Sequence, residues 1–189
     1  DELRHTELCA RVVEALGGVA RVEVERATSL MPEHRGCSPE ERALRNVIYG
    51  SCVSEVVNAA RFVALLDATG DPYLRDVTRQ LLADEVAHGQ FGFHYLEAWR
   101  PWLEERPEVR ASLGRYLRYA FAVYESRHGG GDGPFPARTA AELHAGLPDL
   151  AVSRDVLHQT VAHAVVPGLE RFGIDASTAW RTRSLDAAG

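Results

Sequence analysis

The sequence predicts an all-α fold: a bundle of long helices with a helical C-terminal extension. Three observations carry this expectation. Apolar residues recur at spacings of three and four over long stretches, which places them on one face of a helix. Glycine and proline punctuate the chain at intervals that leave room for helices of several turns. No segment shows the strict alternation of a half-buried strand.

The elements follow in order. Residues 1–17 have a helical pattern that stops at Gly17-Gly18, a C-terminal glycine signal. Residues 18–37 keep no period and read as one long connection, unusual between helices of a compact domain. Ser38-Pro39-Glu40-Glu41 then supplies an N-cap, a proline at the first helical position and an acid at the third. The helix it starts runs to about Thr69 and ends at Gly70. Asp71-Pro72 starts another that reaches about Leu103, with Pro101 near its end. A fourth fits 107–127, a glycine-rich loop fits 128–136, and a short helix fits 137–146. The last long helix spans 149–172 and should kink at Pro167, which removes a backbone donor.

Bulk properties narrow the function classes. The chain has 189 residues, enough for one large domain or a domain with an appendage. It is 46% hydrophobic and 25% charged, with a formal net charge of -6 and no basic block, so nucleic acid is not expected as a partner. No apolar run approaches the roughly 18 residues of a membrane span, and no signal peptide is visible. The three cysteines, Cys9, Cys37 and Cys52, lack CxxC spacing and read as free thiols of a cytoplasmic protein.

Several polar residues break the apolar stripes. In the 38–69 helix the stripe runs Leu44, Ile48, Cys52, Glu55, Ala59, Phe62 and Leu66, with Glu55 its one charge. In the 72–103 helix it runs Leu74, Leu81, Glu85, His88, Gly92, Tyr95 and Trp99. In the first helix it runs Glu2, His5, Cys9, Val12, Val13 and Leu16. Burying an unpaired carboxylate is costly, and these stripes carry little Lys or Arg to neutralise it. A bound cation is the economical partner. Glu-x-x-His sets a carboxylate and an imidazole one turn apart on one face. Two such pairs bridged by further glutamates can hold two divalent metals, and ligands rich in oxygen suit iron or manganese better than zinc. A buried polar network without metal, or a relic site, is the alternative.

Other candidates carry less. Glu125-Ser-Arg-His128 repeats the spacing beside a glycine loop and reads as a solvated helix end. Asp155 and His158 share helical metal spacing but no apolar line, and read as surface or capping residues, as does nearby His163. His94 lies roughly 240° around the helix from His88 and points elsewhere.

Glu2-Leu-Arg-His5, Glu55 and Glu85-Val-Ala-His88 together resemble the ferritin-like di-iron carboxylate superfamily. Its pattern is a Glu on the first bundle helix, ExxH on the second, Glu on the third and ExxH on the fourth. The three motifs match the second, third and fourth helices over residues 1–104, and 18–37 fits the long crossover of that fold. Residues 105–189 form the extension. The resemblance implies a four-helix bundle of which three helices are present here. It implies metal ligation by Glu2, His5, Glu55, Glu85 and His88. It also implies hydrogen bonds from His5 to Asp84 and from His88 to Asp1, which fix the imidazole orientations. Cys9, one turn beyond His5, stands where the reductase subunit of that superfamily keeps a radical tyrosine. Otherwise Cys9 reads as a small core residue. A substrate pocket beside the metals would be lined by Cys9, Ser51, Cys52, Asn58 and Leu81.

The implied activity is O₂ activation at two iron ions, with an external electron donor and a small organic substrate. A non-catalytic helical scaffold and an iron-handling protein are the competing readings. The chain opens on Asp1, so the first-helix Glu is expected upstream. Without it, the 189-residue form is expected to hold an empty or partly occupied centre and a mobile N-terminal region. It should also expose a groove along Leu44, Ile48, Phe62 and Leu81. Candidates to fill that groove are an upstream segment, the 149–172 helix folded back, or a second chain in a homodimer.

Overall fold

The computed structural model describes residues 1–21, 34–128 and 138–185. Most of the 18–37 connection and of the 128–136 loop lies outside the described residues.

Helix α1 (Glu2–Ala15) leaves its track where Gly17 adopts φ +81°, a conformation that favours glycine. A long helix follows in three pieces: α2 (Pro39–Val47), a wide π-helical segment (Ile48–Glu55) and α3 (Val56–Ala68). Its start is the expected one, with Ser38 Oγ accepting from the Glu41 amide at 3.2 Å. The residues Thr69 to Asp71 turn the chain directly into α4 (Pro72–Ala98), whose first turn is capped by Asp71 Oδ1 on the Leu74 amide at 3.0 Å. So short a turn makes the two long helices antiparallel neighbours.

The expected helix to Leu103 is interrupted at Trp99, because Pro101 cannot donate into the ladder. A short α5 (Arg100–Glu104) continues it. Next come α6 (Pro107–His128) and α7 (Ala140–His144). The final expected helix is also segmented: α8 (Leu150–Thr160), a π-helical turn (Val161–Val165) and α9 (Val166–Glu170), with Pro167 just after the wide turn. A closing helix, α10 (Ala176–Arg181), was not foreseen. It is capped by Asp175 Oδ1 on the Thr178 amide.

The second half of the chain completes the core. Leu113, Leu117, Phe121 and Tyr124 of α6, with Leu157, Val161, Val165 and Leu169, form one buried cluster with Leu44, Ile48, Val53 and Val57. Of the groove expected along Leu44, Ile48, Phe62 and Leu81, the first two and the last are covered, while Phe62 is half-buried in the wall of a cavity. Leu44 and Ile48 are fully buried and Leu81 is 8% exposed. Helix α6 packs on α2, and the 149–172 region, one of the three candidates, folds back against α3 and the first π segment.

Helix α4 approaches this long helix closely at two glycines. A Cβ at Gly92 would stand 2.7 Å from Ser51 Cβ and 3.0 Å from the Cys52 backbone nitrogen, and one at Gly89 would stand 3.0 Å from Val56 Cγ2. Since backbone must yield at Gly92, Gly92→Ala should destabilise by about 1–3 kcal/mol, read as a loss of thermal stability. Gly50, with open space around it, should tolerate the same change at the helix-propensity level, as a gain of about 1 kcal/mol or less.

Candidate metal centre

The ligand candidates come from α1, the end of the first π segment, and the middle of α4. A π segment holds one more residue per turn than an α-helix and is common at functional sites. Here it ends on Glu55, so the wide turn sets the direction in which that carboxylate leaves the helix. Glu85 is buried on the α4 face, and His5 is the one buried residue of α1.

The two imidazoles lie side by side, with ring centroids 5.9 Å apart. His5 donates from Nε2 to Asp84 Oδ2 at 2.9 Å, and His88 donates from Nε2 to Asp1 Oδ2 at 3.1 Å. With both Nε2 protons given outward, both Nδ1 lone pairs face inward. Two carboxylates span them. Glu2 sets Oε2 3.3 Å from His5 Nδ1 and Oε1 3.5 Å from His88 Nδ1. Glu85 sets Oε1 3.7 Å from His5 Nδ1 and Oε2 3.8 Å from His88 Nδ1. Glu55 joins at the His88 end, where Glu55, Glu85 and His88 each bring a ligand atom within 4.8 Å of the others.

The charge balance favours a cation. Five carboxylates (Asp1, Glu2, Glu55, Asp84, Glu85) meet one guanidinium, Arg4, which pairs with Asp84. Burial, then the neighbouring Glu55, Glu2 and Asp84 carboxylates, push Glu85 up to about 9. Its Oε2 is buried with no hydrogen-bond partner among the described residues. By contrast the Arg4 and His5 donors hold Asp84 below the ordinary carboxylate range. Donors sharing one first-row divalent cation, each about 2.1 Å from it, stand roughly 3 Å or slightly more apart. The spacings here need only a small contraction, and the donor set of oxygen with imidazole suits iron or manganese.

The site is closed on one side and open on the other. The side chains of Glu85 and His5 are 8% and 10% exposed, whereas that of Glu2 is 74% exposed. Cys9 is exposed rather than a core residue. It lines an open groove with Glu2, His5 and Thr6. Cys52 is fully buried against Gly92, its thiol pushed up to about 12 by burial, and Leu81 is also core. Ser51 lies beside Gly92, and Asn58 accepts from the Tyr124 hydroxyl at 3.4 Å.

The remaining candidates sit apart. Glu125 does not pair with His128. It accepts from His158 Nε2 at 2.7 Å and from Arg183 Nε and Nη2 at 2.5 and 2.8 Å. His158 is thus an ion-pair partner, not a surface cap, and Asp155, His163 and His94 are exposed. Sequence reasoning missed Arg4 as the second partner of Asp84. Its position one residue before His5 was the available signal.

No protein-family model matches this chain, and it matches neither a curated protein nor a solved structure. Fold and site together define an all-α protein whose Glu55, Glu85 and His88 could hold a metal ion. No helix among the described residues is long and apolar enough to cross a membrane.

Asp84 orients His5 through a single hydrogen bond, so Asp84→Asn should weaken divalent-metal affinity by roughly 10–100-fold with the fold intact. Calorimetric titration with Mn(II) checks this.

Proposed function

We propose that this chain is a ferritin-like dinuclear carboxylate protein that binds two iron ions and activates O₂ to oxidise a small organic substrate. The observation that carries the reading is that Glu2 and Glu85 each direct one oxygen to His5 Nδ1 and the other to His88 Nδ1. A carboxylate placed between two ligand nitrogens is suited to bridge two cations. Glu55 supplies a further oxygen at the His88 position, and Asp84 and Asp1 fix the two rings. Manganese fits the same donors.

Two ferrous ions held there would supply electrons for reductive O₂ activation, with an external donor restoring them. The chain's own part is placement. Buried Glu85 and the packed α3–α4 face exclude water on one side, while the exposed Glu2 side leaves an approach for O₂. A site with no catalytic role is the competing reading, favoured by that same exposure of Glu2. Anaerobic Fe(II) loading followed by oxygen exposure separates the two. Two irons per chain, oxidised by O₂ faster than free Fe(II), support the enzyme. Oxidation no faster than that of free Fe(II) contradicts it.

A further inference from the structure

A second cavity, of about 540 Å³, opens on the far part of α3, between it, the end of α6 and the start of α8. That volume lies within the usual range of small-molecule sites, roughly 300–1,000 Å³. Its walls are mostly apolar, with Phe62 and Leu65 from α3, Leu143 from α7, and Leu150 and Val156 from α8.

One polar group in it is poorly satisfied. Arg61 donates from Nη2 to the His128 carbonyl at 2.8 Å, but its Nε is buried with no acceptor. A guanidinium offers a planar fork of donors suited to a carboxylate, and an uncommitted donor in an apolar wall is costly. Among the described residues, the rest of the lining does not supply the missing acceptor charge. Arg127 adds a second positive charge. The one carboxylate among the described lining residues, Asp149, is committed through Oδ1 to the Ala151 and Val152 amides at the start of α8. Burial, then the Arg61 and Arg127 charges, hold the His128 imidazole below its ordinary value, which marks the same positive region.

We propose that this cavity binds an amphipathic carboxylate, with the acid on Arg61 and the hydrocarbon chain along Phe62, Leu65 and Val156. Asn58 lies in the same wall, one helical turn beyond Glu55, so the cavity begins close to the candidate metal centre. Treating this ligand as the substrate oxidised there rests on the proposed function. Its binding does not.

The test is titration of the metal-free full chain with octanoate, and with 1-octanol as the uncharged control, by calorimetry. Octanoate should bind one per chain and more tightly than octanol. Arg61→Gln should weaken octanoate roughly tenfold or more while changing octanol little. Ala64→Trp, which fills the cavity and leaves the Arg61 charge in place, should weaken both. Circular dichroism melts show that each variant is folded, and Arg61→Met, which keeps an apolar stem and removes the charge, covers the case in which Arg61→Gln does not fold. Octanoate affinity unchanged in the Arg61 variants, or no octanoate binding to the parent chain, overturns the proposal. Iron loading reads the metal centre separately, so failure of one does not mimic failure of the other.

Discussion

Replacing Glu85 by alanine should lower iron affinity by more than about a hundredfold, while replacing Glu125 by alanine should leave it unchanged. Both residues begin a Glu-x-x-His sequence, so spacing alone does not separate them. Their surroundings do. Glu85 is buried between two imidazoles and beside a second carboxylate, and among the described residues no Lys or Arg pairs with it. Loss of a group that merely orients a ligand costs roughly 10–100-fold in metal affinity, so loss of a bridging carboxylate should cost more. Glu125 already has its cation, the Arg183 guanidinium, together with His158. Its removal strands that charge and should cost about 1–3 kcal/mol of stability without touching metal. Glu85→Gln adds a control for folding. It keeps the shape and removes the charge, so it should melt at or above the parent temperature without metal and still fail to load iron. Equal iron loss in the Glu85 and Glu125 variants would mean that the wrong pair has been assigned.

Metal-free protein should lose stability steadily as pH rises from the ordinary carboxylate range to about 9. Glu85 is the cause. Its folded-state value, raised to about 9, lies above the ordinary carboxylate value of 4.5, so between the two the native state holds a proton that the unfolded chain has released. Stability is therefore fully present below the unfolded value and declines until the folded value is passed. Asp84 acts in the opposite sense. It is held low by Arg4 and His5, and its contribution is present above the ordinary range and lost in acid. A divalent cation should replace the proton on Glu85, so saturating Mn(II) should raise the melting temperature and flatten the alkaline slope. Thermal melts between about pH 5.5 and 8.5, with and without Mn(II), read both effects. A metal-free profile that rises toward pH 8.5 would contradict the placement of Glu85.

The helices and the clustering of Glu55, Glu85 and His88 were legible because each depends on local chemistry. Ser38-Pro39 and Asp71-Pro72 mark starts through caps that form within one turn, and both caps are present. Glu55, Glu85 and His5 were visible as polar residues on stripes that had to pack against something. What stayed hidden depends on partners far along the chain. Nothing near Ile48 announces the wide turn that ends on Glu55, because it packs chiefly against α4, the next long helix, where Gly92 lets Ser51 and Cys52 approach. Glu125 read as part of a solvated helix end, and nothing near it announces Arg183, 58 residues on, which holds it. The 105–189 region read as an addition to the bundle, yet its Phe121, Leu157 and Val165 belong to the same buried cluster as Leu44. Cys9 shows the reverse case: it lies on the apolar side of α1, but that helix rests chiefly on α4 among the described residues and leaves the thiol exposed.

The most direct test of the central claim is the number of irons per chain and their coupling, read by anaerobic Fe(II) titration with Mössbauer spectroscopy after oxidation. Two irons in one magnetically coupled pair, abolished by Glu85→Ala and by His88→Ala, is the predicted result. A single uncoupled iron, or loading indifferent to both substitutions, would contradict it.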